Sequence, residues 1–183
     1  MFLKKIKFIL ILTLLYQSPL YSKSTSFDDF NSKNLSKYFS GIVAFKNKDN
    51  SEALNFFDSS KILINKHDPY LKRYILSLVL ENKVSKAINI IKQNVGNNNS
   101  NFFDAYLLLI IDSLKRNDLD QANVYLAIIF NFDQKDRFNL AVLESLKQYI
   151  FVFKENKILD NKKNFGKLSI ISETFQRCYL GER

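Results

Sequence analysis

One histidine, one cysteine and two close pairs of aspartates are the residues of this chain that could do chemistry, and each falls where a structural role explains it. His67 lies in the polar stretch INKHDP. Without a second histidine or a neighbouring cysteine it cannot complete a zinc site from protein ligands, so it is expected as an exposed turn residue. Cys178 has no histidine near it in sequence to take its proton, and its helical spacing with Leu168, Ile171 and Phe175 places it as a small buried hydrophobe. As the only cysteine it cannot form an intramolecular disulfide. Asp28-Asp29 stands in a polar leader, and Asp118-x-Asp120 stands at a helix start, where carboxylates favour the positive end of the dipole and cap free N–H groups. There is no phosphate-binding glycine loop, nucleotide fingerprint, nucleophile elbow or calcium-loop spacing. These residues imply no catalytic centre, metal or cofactor.

The net charge of +9 raises nucleic acid as a partner. Lys4, Lys5 and Lys7 contribute three of those charges in the leading segment, and the remaining lysines are interleaved with Asp and Glu, with no run of five like charges. Phe56-Phe57, Phe102-Phe103 and Phe151-x-Phe153 sit at core-like spacing, so their rings are expected to fill helix contacts and not to stack on bases. A solvated basic surface without a nucleic-acid partner is the reading.

The elements that must position these residues are helices. Only 4 Gly and 2 Pro in 183 residues leave too little punctuation for many short strands and tight turns, and 46% hydrophobic residues can fill a continuous core. Residues 1–24 have the order of a secretory signal: basic start, apolar run from Phe8 to Tyr16 broken by Thr13, then polar residues and Pro19. That run falls short of the about 20 apolar residues that span a bilayer. The chain is therefore expected on the exported, periplasmic side, in contact with the membrane only through this segment if it stays uncleaved. Residues 25–33 read as a flexible leader. Helices are expected near 34–47, 50–64, 69–81, 84–94, 102–116, 119–131, 136–154 and 165–180, from apolar spacing such as Leu71, Tyr74, Ile75 and Leu78.

Ala53 in NSEALNFF, Ala87 in VSKAINII and Ala122 in LDQANVYL are each followed four residues later by a large apolar side chain, Phe57, Ile91 and Leu126. Their separations of 34 and 35 residues resemble the period of the tetratricopeptide repeat superfamily. Gly41 falls where that family has a small residue, although Ile75 and Ile110 at the equivalent positions are large, and Ser60, Asn94 and Ile129 stand at the later small position. The whole chain resembles the N-terminal part of long secreted alphaproteobacterial proteins of that superfamily. The resemblance implies an all-α fold, a short α-solenoid of about three degenerate helix pairs over 34–131. Additional helices over 132–183 would form a cap or the start of an interrupted array.

The resemblance further implies an inner groove lined by the first helix of each pair. Carried over position by position, the groove would comprise Tyr38, Ile42, Phe45 and Lys46, then Lys72, Leu76, Val79 and Leu80, then Asp104, Leu107, Ile111, Leu114 and Lys115. Such a mainly apolar lining with lysines at its rim suits a noncatalytic scaffold that holds an apolar helix or extended segment of a protein partner. The chain's own C-terminal helix is an alternative occupant. A helical-repeat enzyme acting on envelope glycan and a membrane-tethered structural protein stand as the other readings, the first requiring a close carboxylate pair in a cleft.

Overall fold

A computed structural model describes residues 31–96, 100–132 and 136–181; the export signal over 1–24, the leader as far as Phe30, the Asp28-Asp29 pair and most of the Asn-rich break lie outside the described residues. Eight α-helices and no strand occur among the described residues. They are α1 (Ser32–Lys46), α2 (Asn50–Asp58), α3 (Asp68–Leu80), α4 (Val84–Asn94), α5 (Phe103–Lys115), α6 (Leu119–Phe130), α7 (Arg137–Glu155) and α8 (Lys167–Tyr179), with one 3-10 turn at Lys61–Leu63. Each helix packs on the next, and α1 also touches α3, which gives a short solenoid of helix pairs.

The turn inside each of the first three pairs is built the same way. Lys48, Asn82 and Asn117 adopt left-handed φ of 65°, 57° and 58°. Around them the N–H groups of Asp49, Lys83 and Asp118 donate back to the carbonyls of Ala44, Leu78 and Ser113 at 3.0, 2.8 and 2.9 Å. This closing bond over a left-handed residue satisfies carbonyls that the helix end leaves orphaned. The left-handed residues are separated by the same 34 and 35 positions as the alanines, so the backbone repeats with the sequence. Asp49 and Asp118 also accept from the N–H groups of Glu52 and Gln121, which places Asp118 as a cap.

One core runs through the stack, with Ala53, Ala87 and Ala122 and their apolar successors Phe57, Ile91 and Leu126 all buried. A Cβ on Gly41 would stand 2.7 Å from Phe57 Cε1, so the missing side chain is what lets α1 approach this ring. Ile75 and Ile110, at the positions equivalent to Gly41, are fully buried, and the residues at the position of Phe57 are there the smaller Ile91 and Leu126.

Three expectations change. The helix expected over 50–64 stops at Asp58, because Ser59 and Ser60 turn their hydroxyls back onto the carbonyls of Asn55 and Phe56, and the buried Tyr70 hydroxyl donates to the Phe57 carbonyl. The helix expected from 34 starts at Ser32, capped by the Asn31 side chain on the Asn34 N–H. His67 is not an exposed turn residue. It is half-buried at the start of α3, with its ring edge-on to Tyr38 at 4.8 Å.

The last helix departs furthest from its reading. Leu168, Ile171, Phe175 and Cys178 are exposed, Phe175 by 63%, and the buried side chains of α8 are Ser172 and Gln176. Cys178 is therefore not a buried hydrophobe. The cause lies on α7, which turns Glu144 and Gln148 toward α8. Gln148 Nε2 and the Lys163 N–H donate to Glu144, and Gln176 Nε2 donates to Gln148 Oε1 at 3.2 Å and to Ser172 Oγ at 3.0 Å. A leucine face laid there would strip these groups of water without replacing their bonds.

Candidate functional site

The first helices form a row, and its continuity is visible in side-chain contacts. Lys72 on α3 lies 3.3 Å from Asp104 on α5 and 5.9 Å from the centre of the Phe102 ring. From Lys72 and Asp104, Leu76 and Leu80 follow one and two turns along α3, and Leu107 and Ile111 one and two turns along α5. The groove residues expected from sequence then divide into two sets. Phe45, Val79 and Leu114, which occupy one repeat position, are half-buried and packed against the core. Ile42 does the same, and Tyr38 leaves the groove altogether: it is buried against Phe57, His67 and Tyr70. Their role is to hold the stack.

The second set faces outward. Leu80 is 52% and Ile111 50% exposed, Leu76 and Leu107 are half-buried, Lys46, Lys72 and Lys115 are exposed, and Asp104 is half-buried beside Lys72. Two apolar stripes flanked by lysines make a surface that can lose water against an apolar segment while the ammonium groups stay hydrated. The Lys72–Asp104 pair is open to solvent and contributes little to stability, so its carboxylate and ammonium remain accessible to a ligand. The C-terminal helix does not occupy this surface: its hydrogen bonds and ring contact outside itself are with α7 and the loop before it, through Gln148, Phe153 and Lys162.

The junctions between repeats are pinned by carboxylates. Asp58 of α2 accepts from the Tyr74 hydroxyl of α3 and lies 3.3 Å from Lys86 of α4. Burial opposes its ionisation, but Lys61, Tyr74 and Lys86 outweigh this and hold its carboxyl below the usual range. Burial and then Asp58 push the Tyr74 hydroxyl far above the ordinary tyrosine value, so it stays a donor. Asp112 of α5 is held low chiefly by its hydrogen bond from Lys92 of α4, at 2.8 Å. Asp120 of α6 pairs with Lys154 of α7 at 2.6 Å. These acids are spent on joining neighbours. Among the described residues no three His, Cys, Asp or Glu side chains are grouped to hold a metal ion, and no helix is long and apolar enough to cross a membrane.

A second surface escaped the sequence reading. Phe39 and Val43, each 58% exposed, line a shallow groove of about 610 Å³ with Ala44 and Phe56, between α1 and α2. The signal was present as a second apolar stripe on α1, at positions 39 and 43, one residue away from the stripe assigned to the inner groove.

Compared with protein-family models, with curated proteins and with solved structures, the chain matches none.

Proposed function

We propose that this chain is a noncatalytic protein-binding scaffold of the bacterial cell envelope, related to the tetratricopeptide superfamily, which holds an apolar helix or extended segment of another protein across its first helices. The observation that carries the reading is the pair of apolar stripes on α3 and α5, Leu76 with Leu80 and Leu107 with Ile111, of which Leu80 and Ile111 are half exposed, with Lys72 and Asp104 paired across the two helices. A site that recognises an apolar segment needs these features and no titrating group. The 34- and 35-residue spacing supports the family relationship. The basic-then-apolar order of residues 1–24 supports export to the periplasm, with membrane contact confined to that segment if it is retained.

Exposure decides which substitution tests the site. Phe45 packs against the core, so an aspartate there would disturb the fold together with the surface. Ile111 is half exposed, and Ile111→Asp should leave far-ultraviolet circular dichroism unchanged while abolishing co-purification of the bound protein from the envelope fraction. Unchanged co-purification with Ile111→Asp and Leu80→Asp combined would rule this surface out. Amino-terminal sequencing of the exported chain separates cleaved from tethered forms; cleavage after Ser24 gives a product beginning at Thr25.

A further inference from the structure

We infer that copies of this chain associate head to tail, with α8 of one copy seated in the Phe39/Val43 groove of the next, so that the solenoid continues across molecules. The groove is defined by repeat position. Thirty-four residues on from Ser36, Ser40 and Glu52 stand Tyr70, Tyr74 and Lys86. Those three residues join the second repeat to the one before it: Tyr70 donates to the Phe57 carbonyl, and Tyr74 and Lys86 both meet Asp58. The same position as Val43 holds Asp112 in the third repeat, which pairs with Lys92 of the repeat before. The groove on α1 and α2 thus occupies the positions by which the second and third repeats join their predecessors, and Phe39 and Val43 within it are each 58% exposed.

What a predecessor supplies is also fixed by the stack. At each junction the second helix of a pair packs on the first helix of the next: α2 on α3, α4 on α5 and α6 on α7. In that order α8 is the next second helix, and its apolar face is the one left uncovered. In a solenoid, apolar outer faces of this kind are normally covered by a neighbouring repeat. The two surfaces also match in length, since Ser36 to Asn47 and Leu168 to Tyr179 each span eleven residue steps, about 16 Å of helix. Phe39, Val43 and Phe56 on one side and Leu168, Ile171, Phe175 and Tyr179 on the other expose together about 700 Å² of apolar surface, taking 150–250 Å² for a whole aromatic side chain. At the apolar share of about 57% usual for interfaces, the contact totals about 1,200 Å², the lower edge of the range for specific interfaces. Unlike surfaces pairing in this way form open chains unless the rotation closes a ring.

Sedimentation velocity of the full chain over a concentration series, with Phe39→Asp and Phe175→Asp, tests the inference. Both side chains are more than half exposed, and unchanged circular dichroism checks that each variant folds. The wild-type chain should show mass growing past the dimer with concentration, each variant alone should stay monomeric, and an equimolar mixture of the two should give a dimer and nothing larger. In that mixture the intact α8 of Phe39→Asp meets the intact groove of Phe175→Asp. Dimers formed by either variant alone would show that like ends pair. A monomeric wild type would show that the groove is closed by residues 1–30 or by nothing, and a monomeric mixture would show that the two ends do not recognise each other; each of these outcomes overturns the inference.

Discussion

Adding one methyl group at Gly41 should destabilise the chain, and the same methyl should stabilise it once Phe57 is made smaller. A Cβ at Gly41 would lie 2.7, 2.9 and 3.2 Å from three carbons of the Phe57 ring, where ordinary contact begins near 3.4 Å. The ring cannot turn aside, since it is fully buried with the Tyr38 and Tyr70 rings each 6.0 Å away. Overpacking of this kind costs about 1–3 kcal/mol. Glycine in a helix interior is about 1 kcal/mol worse than alanine, which offsets part of that. The net expectation for Gly41→Ala is a loss of up to about 2 kcal/mol. In a Phe57→Leu background the clash disappears and only the helix term remains, so Gly41→Ala should there gain about 1 kcal/mol. The difference is a coupling of about 1–3 kcal/mol, the overpacking cost itself, within reach of a double-mutant cycle of urea unfolding midpoints at constant slope. Equal effects of Gly41→Ala in the two backgrounds, or a wild-type background stabilised by it, would refute the packing argument.

Lys48 holds a left-handed φ of 65° at the position where the next two repeats have asparagine. Lys48→Gly should therefore stabilise the chain by about 0.5–1 kcal/mol, read as a raised thermal unfolding midpoint, and Asn82→Gly should stabilise it less. Because the folded-state pKa of Asp58 is lowered, its contribution to stability is present above the unfolded carboxyl value, near about 3.9, and is lost as pH falls through the lowered folded value. Asp58→Asn should flatten the acid limb of stability measured from pH 5 downward; an unchanged limb would mean that Asp58 does not carry it. Gln176→Leu leaves Gln148 Oε1 buried without its donor, at a cost of about 1–3 kcal/mol local to the α7–α8 seam. Amide exchange should then quicken in α8 alone; uniform quickening would show that the seam is not a separate unit.

The fold was legible where one physical rule governs a whole repeat. The alanine spacing and the short polar residues at 49, 82, 117 and 118 reported the helix pairs, because small contact residues and left-handed turns leave the same mark in every pair. Ile75 and Ile110 depart from the small residue at Gly41, yet they are buried in repeats whose residue at the Phe57 position is the smaller Ile91 or Leu126, a pairing that a single-position pattern does not read. The face of α8 was readable as apolar, but not its direction. That depended on Glu144 and Gln148, two residues of another helix whose bonds required Gln176 and Ser172. The assigned groove was legible as a list of positions, and exposure separated the packing residues Tyr38, Ile42, Phe45, Val79 and Leu114 from the outward Leu76, Leu80, Leu107 and Ile111. The groove at Phe39 was missed because its positions are the ones that join repeats at Tyr70, Tyr74 and Lys86, and only exposure on α1 sets it apart.

A photo-activated crosslinker placed in the cell envelope, at Ile111 on a first helix and in parallel at Val124 on a second helix, tests the scaffold reading most directly. Both positions are about half exposed, so a difference between them reports the face and not the accessibility. The proposed function predicts a discrete adduct with another protein from Ile111 that is lost in Leu80→Asp, and none from Val124. The same adducts from both positions, or none from Ile111, would contradict it.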